Sequence, residues 1–202
     1  MVYLDQAATS FPKLEEVKQA VMRAFDVAGN ANRSSNMDSS RLIFEARRNI
    51  AQFFGLSDFH RVILNGGNTE SLNTCIKGIL KEKDHVITTY AEHNSVLRPL
   101  YELEEKGIIT LTICAPYLED IKNHIQKDTR MVIMTHSSNV TGEIFDVDLI
   151  GQYCKECGVL FMVDAAQSAG HIPVSMENID VLCFSGHKGL LGICLLYTSP
   201  SP

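Results

Sequence analysis

Short apolar runs of strand length alternate with amphipathic stretches along most of this chain. Residues 1–12 read as extended. From Pro12 onward, Leu14, Val17, Val21 and Phe25 share one helical face. Gly29 to Asp38 is a polar loop rich in Asn and Ser. A second helix is expected over residues 40–54, stopping at Gly55. Val62-Ile63-Leu64 predicts a strand, and Gly66-Gly67-Asn68-Thr69-Glu70 a turn into a helix through Ile76, Ile79 and Leu80. Val86-Ile87-Thr88 predicts the next strand, followed by a helix carrying Leu97, Leu100 and Leu103. Then come a strand over residues 108–113, a short helix over 118–125 and a strand over 131–135. The last is apolar nearly throughout, as parallel strands are when both faces are covered. A helix capped by Asp146 or Asp148 runs to Cys157, and a strand covers residues 159–163. Asp180 opens a strand leading through Val181-Leu182-Cys183-Phe184 towards Lys188. This alternation predicts an α/β fold with a largely parallel sheet flanked by helices.

At 202 residues the chain is long enough for one domain with a real core. Its formal net charge of -6 gives no support to nucleic-acid binding. The apolar runs are strand-sized, so no transmembrane helix is expected. Met1-Val2-Tyr3-Leu4-Asp5 lacks the basic and apolar regions of a signal peptide. A cytoplasmic protein is therefore expected. Cys75, Cys114, Cys154, Cys157, Cys183 and Cys194 are scattered, which suits free thiols in a reducing compartment. Cys154-x-x-Cys157 has no second pair beside it, so no metal site is expected. It reads as small apolar filling in a helix before Gly158. No G-x-G-x-x-G follows the first strand, which disfavours a nicotinamide cofactor.

Candidate chemistry gathers at the predicted strand ends, the edge where ligands bind in open α/β sheets. Ser185-Gly186-His187-Lys188 follows one apolar run and precedes the Gly-rich segment 189–192. A strand-end Lys can form a Schiff base with an aldehyde cofactor if its surroundings lower its pKa. Ser185 and His187 can donate hydrogen bonds to a phosphate. The alternative is a solvated lysine after a strand. Asp164, in Val163-Asp164-Ala165-Ala166-Gln167, can hold a pyridine nitrogen protonated, or cap the next helix. The turn at Gly66 to Glu70 offers free N–H groups to a phosphate, and Thr69 adds a hydroxyl or serves as a plain helix cap. His93 is a proton-handling imidazole or a capping residue. Asn139 bonds a ligand oxygen or belongs to a turn.

Asp5-Gln6-Ala7-Ala8-Thr9, Asn68-Thr69-Glu70, Glu92-His93-Asn94, Ser138-Asn139-Val140-Thr141-Gly142, Asp164-Ala165-Ala166-Gln167 and Ser185-Gly186-His187-Lys188 occur in that order. Together they resemble the pyridoxal-phosphate-dependent cysteine desulfurases of the class V aminotransferase group, over roughly residues 1–192. The resemblance implies the large domain of a fold type I enzyme with pyridoxal 5'-phosphate as cofactor. It implies that Lys188 holds the cofactor and later moves protons. Asp164 would pair with the pyridine nitrogen, and His93 would stack on the ring and handle protons. The amides of Asn68 and Thr69 would bind the phosphate and Gln167 would contact the phenolic oxygen, while Asn139 could bond that oxygen or a substrate carboxylate. The implied reaction converts L-cysteine to L-alanine, with sulfur passed to an enzyme cysteine as a persulfide. A homodimer and a sulfur-acceptor protein are the implied partners. The same scaffold also serves selenocysteine lyases and aminotransferases, and a non-catalytic cofactor-binding fragment is the reading from another class.

The chain departs from the resembled pattern in three places. The loop that often carries a His has Asn36 at the nearest position, and Asn68 stands where a smaller residue is usual. After Gly192 the pattern continues through a Pro-Gln-Gly-Thr-Gly-Gly-like turn, whereas this chain reads Ile193-Cys194-Leu195-Leu196-Tyr197-Thr198-Ser199-Pro200-Ser201-Pro202. Residues 193–202 are accordingly expected to be a non-native tail. Residues 1–192 are expected to be an incomplete cofactor-binding domain. The nucleophilic Cys of the resembled enzymes lies on a C-terminal loop with no matching position here, and Cys194 is not assigned that role.

Overall fold

The computed structural model describes residues 2–27 and 37–193. Helices α1 (Glu15–Phe25) and α2 (Asp38–Phe53) come first. Then follow α3 (Asn68–Ile79), β1 (Asp84–Thr89), α4 (Asn94–Glu105) and β2 (Ile109–Cys114). The remaining elements are α5 (Leu118–His124), β3 (Thr129–Thr135), α6 (Val147–Cys157), β4 (Leu160–Asp164) and β5 (Val181–Cys183). The strands form one parallel sheet in the order β2-β1-β3-β4-β5. The order reverses between β1 and β3, which opens a crevice at the carboxyl ends of the strands.

Strand periodicity divides the core into two layers, one on each face of the sheet. Val86, Met131, Ile133 and Met162 pack with Leu72 and Ile76 of α3 and with Val96 and Leu100 of α4. Ile87, Val132, Met134, Phe161 and Val163 pack with Ile121 of α5 and with Ile150 and Cys154 of α6. Each such fully buried apolar side chain stabilises the fold by about 1.5–3 kcal/mol. The helix ends follow local chemistry. Asp146, not Asp148, caps α6 by accepting from the N–H of Leu149 at 3.0 Å. Gly158 ends that helix at φ 70°, a left-handed conformation that favours glycine. Within α6, Cys154 is buried filling whereas Cys157 is exposed.

Two sequence expectations need correction. Val62-Ile63-Leu64 is not a strand: a 3-10 turn over Phe59–Arg61 leads into an unpaired extended segment. Val62 is buried, but Ile63 and Leu64 are 77% and 44% exposed. A strand needs a ladder partner, and this run has none among the described residues. The first helix starts at Glu15 rather than Pro12, and its apolar face is not covered, since no residue of α1 is buried. Asn36, Cys194 and residues 194–202 of the expected tail lie outside the described residues.

Candidate active site

The carboxyl ends of the strands border one cavity of about 1280 Å³. Asn68, Thr69, His93, Asn139, Asp164, Gln167, Ser185, His187 and Lys188 all line it. Residues separated by more than a hundred positions thus reach the same space because parallel strands end on the same edge.

Asp164 closes β4 and is 3% exposed. Its Oδ1 accepts from the N–H of Ala166 at 2.9 Å and from Asn68 Nδ2 at 2.8 Å. Both bonds fall on one oxygen, and Oδ2 has no hydrogen bond among the described residues. Burial raises the Asp164 pKa, while the two donors and the charges of His93 and Lys188 oppose that rise. Lys188 is half-buried, in the turn after β5. Burial pushes its ammonium pKa down, and Asp164 pulls it back up. A buried carboxylate and a desolvated amine therefore balance each other across the cavity.

The turn that carries Lys188 is held from outside by the N-terminal segment. The carbonyl oxygen of His187 accepts from Ser10 N–H (3.1 Å), Ser10 Oγ (3.0 Å), Thr9 Oγ1 (3.1 Å) and Lys13 Nζ (3.1 Å). Thr9 Oγ1 also pairs with His187 Nδ1 at 3.1 Å. Gln167 Nε2 donates to the carbonyl of Ala7 at 3.2 Å, which fastens the same segment to the end of β4. The Asp5–Thr9 motif marked this segment in the sequence, but Ser10 and Lys13 carry no signal of a contact so far along the chain.

On the opposite wall, α3 opens at Gly67, whose φ of 147° favours glycine. No side chain caps this helix, and the N–H groups of its first turn have no intrahelical acceptor. Thr69 is not the cap: its Oγ1 pairs with Ser95 Oγ at 2.8 Å, and Ser95 Oγ pairs with His93 Nδ1 at 2.9 Å. His93 is the N-cap of α4, and its Nδ1 accepts from the N–H of Ser95 at 3.1 Å. That bond assigns the proton of the neutral ring to Nε2. Asn139 lies in the turn after β3, but Ser138 Oγ closes that turn by accepting from Val140 and Thr141.

Behind the site sits Glu92, which the sequence showed only as a motif neighbour of His93. It is buried, and its Oε1 accepts from Thr89 Oγ1 at 2.6 Å and from the N–H of Thr135 at 2.9 Å. Burial pushes its pKa up to about 8, and the nearby Asp164 adds to the rise.

The residues of the cavity fit an anionic, nitrogen-containing aldehyde such as pyridoxal phosphate. Asp164 offers a buried acceptor oxygen, Lys188 an amine, and α3 an uncapped N-terminus. Asn68 Oδ1 is a buried polar atom without a partner at the same wall.

Comparison with known proteins agrees with this arrangement. The family model described as aminotransferase class-V matches residues 2–201. The chain belongs to the class-V aminotransferase family. Among curated relatives, the cysteine desulfurase IscS of Buchnera aphidicola subsp. Acyrthosiphon pisum (strain 5A) is 36% identical over 221 residues, covering 100% of this chain and 54% of the relative. The cysteine desulfurase IscS of Shewanella baltica (strain OS155 / ATCC BAA-1091) is 34% identical, also over 100% of this chain and 54% of its own length. Among solved structures, the apo cysteine desulfurase from Thermococcus onnurineus NA1 superposes with a TM-score of 0.85 at 32% identity, over 96% of this chain and 51% of that one. The cysteine desulfurase CsdA from Escherichia coli gives a TM-score of 0.80 at 29% identity, over 95% of this chain and 51% of that one. This class-V chain therefore spans about half the length of the curated relatives it matches.

Proposed function

We propose that this chain carries the pyridoxal-phosphate site of a cysteine desulfurase, which converts L-cysteine to L-alanine and passes the sulfur to an enzyme thiol. The observation that carries the reading is the pairing of buried Asp164 with half-buried Lys188 at neighbouring strand ends of one cavity. When bound, the cofactor supplies an aldehyde that takes up an amine and a pyridinium ring that draws electrons from the bonds of the substrate α-carbon.

Each residue then has a task set by its surroundings. Burial keeps a larger fraction of Lys188 as the free amine, so Nζ can act as the covalent anchor and afterwards accept or return a proton at the α-carbon. Asp164 is the charge partner for the proton on the ring nitrogen, through the oxygen that its protein donors leave open. The N–H groups of Asn68 and Thr69, aided by the α3 dipole, bind the phosphate with Ser185 and His187. Gln167 would contact the phenolic oxygen, and Asn139 would bond that oxygen or the substrate carboxylate. His93 would help hold the ring, with Nε2 available to hold or release a proton. Residues 1–192 act as the cofactor-binding large domain. The sulfur-accepting thiol belongs to the half of the relatives that this chain does not span. The whole protein works as a homodimer in the cytoplasm and hands sulfur to an acceptor protein.

The substrate is tested by the visible spectrum of the cofactor-loaded protein. L-Cysteine shifts the bound-cofactor band, and D-cysteine and L-aspartate leave it in place. A band that answers to L-aspartate but not to L-cysteine would move the assignment to an aminotransferase.

A further inference from the structure

Asn68 is where the opening turn of α3 meets the end of β4. Its Nδ2 donates to Asp164 Oδ1 at 2.8 Å, while its own Oδ1 is buried without a hydrogen-bond partner. The amide orientation is therefore set by Asp164: exchanging N and O would put two acceptors face to face. Ala166 N–H takes the second position on the same Asp164 oxygen, at 2.9 Å. A carboxylate as buried as Asp164 needs such donors to stay ionised. The smaller residue expected at position 68 would have no side-chain amide to give.

We propose that Asn68 is a positioning residue for Asp164: it pins Oδ1, stabilises the carboxylate charge and leaves Oδ2 as the oxygen presented to the cavity. Because its backbone belongs to the first turn of α3, one residue couples the phosphate end of the site to the ring-nitrogen end. The inference rests on the cofactor reading for its catalytic meaning, though not for the contact itself. The other titratable groups facing Asp164 are Glu92 after β1, His93 at the start of α4, Cys183 in β5 and Lys188 beyond it.

The test compares wild type with Asn68→Ala and Asn68→Asp in the 202-residue chain. The first readout is denaturant unfolding without cofactor, from about pH 5 to about pH 8. Losing the donor raises the folded pKa of Asp164 further above its unfolded value. The stability gap between wild type and Asn68→Ala therefore widens as pH rises, and Asn68→Asp, with a second carboxylate beside the first, widens it more. A variant folded at about pH 5 and unfolded at about pH 8 is the extreme form of that result. A gap that stays constant with pH reduces Asn68 to packing and overturns the inference. The second readout is pyridoxal phosphate titration by absorbance, where Asn68→Ala binds about 10- to 100-fold more weakly, as loss of a charge-assisted hydrogen bond predicts. If wild type binds no cofactor, the functional reading fails, and the pH series still decides the role of Asn68.

Discussion

At the scale of single residues, the site is governed by how burial sets charge. Asp164 and Lys188 were legible in the sequence because each follows an apolar run, and a strand-end residue faces the ligand edge. Glu92 also follows a strand, yet its burial depends on Thr89 and on the N–H of Thr135 in the neighbouring strand, and no local pattern reports that. Its raised pKa has a signed consequence. With the folded value near 8 and the unfolded value near 4.5, the protonated folded state gains stability that is complete below the unfolded value and is lost as pH rises towards 8. Glu92→Gln removes the ionisation. Its stability advantage over wild type should grow between those two values and then level off, reaching on the order of 5 kcal/mol. Denaturant unfolding at several pH values measures this. An advantage that shrinks with rising pH would contradict a buried neutral Glu92.

At the scale of elements, the helices and strands from Asn68 onward follow the sequence pattern closely, with boundaries shifted by a residue or two. Ahead of them, Val62-Ile63-Leu64 departs from it: periodicity reports which residues avoid water, whereas a strand also needs a partner ladder. Sheet order was likewise not legible, because the neighbours of each strand are fixed by the crossovers and by packing on both faces. The turn that presents Lys188 is the element most tightly bound to others. The N-terminal segment holds its His187 carbonyl, and on the other side Gly189 lies directly against the backbone of Ala169 and the ring of His171. A methyl group at Gly189 would meet the Ala169 carbonyl oxygen, an atom that cannot rotate away. Gly189→Ala should cost about 1–3 kcal/mol in thermal or denaturant unfolding and displace Lys188 with it. Wild-type stability in that variant would show that the two loops are not packed as described.

At the scale of the whole molecule, the described residues present one parallel sheet with a cavity at the carboxyl ends of its strands. Its first two helices are largely uncovered: Met22 and Phe25 of α1 are 65% and 80% exposed, and Ala51 is the one buried residue of α2. No helix among the described residues is long and apolar enough to cross a membrane. All nine site residues singled out from the sequence line the one cavity, although the contacts that hold them there were not foreseen. The reason is that motifs record which residues face a ligand, while anchors such as Ser10, Lys13 and Ser95 depend on tertiary approach. The central claim is that Lys188 is the amine which holds the cofactor. It is tested most directly by the absorbance spectrum of the protein mixed with pyridoxal phosphate, beside that of Lys188→Ala. The expected result is a visible band in wild type that borohydride removes, leaving a covalent adduct on Lys188, and no such band or adduct in the variant. An equal band in Lys188→Ala, or an adduct on another lysine of the folded protein, would contradict the account.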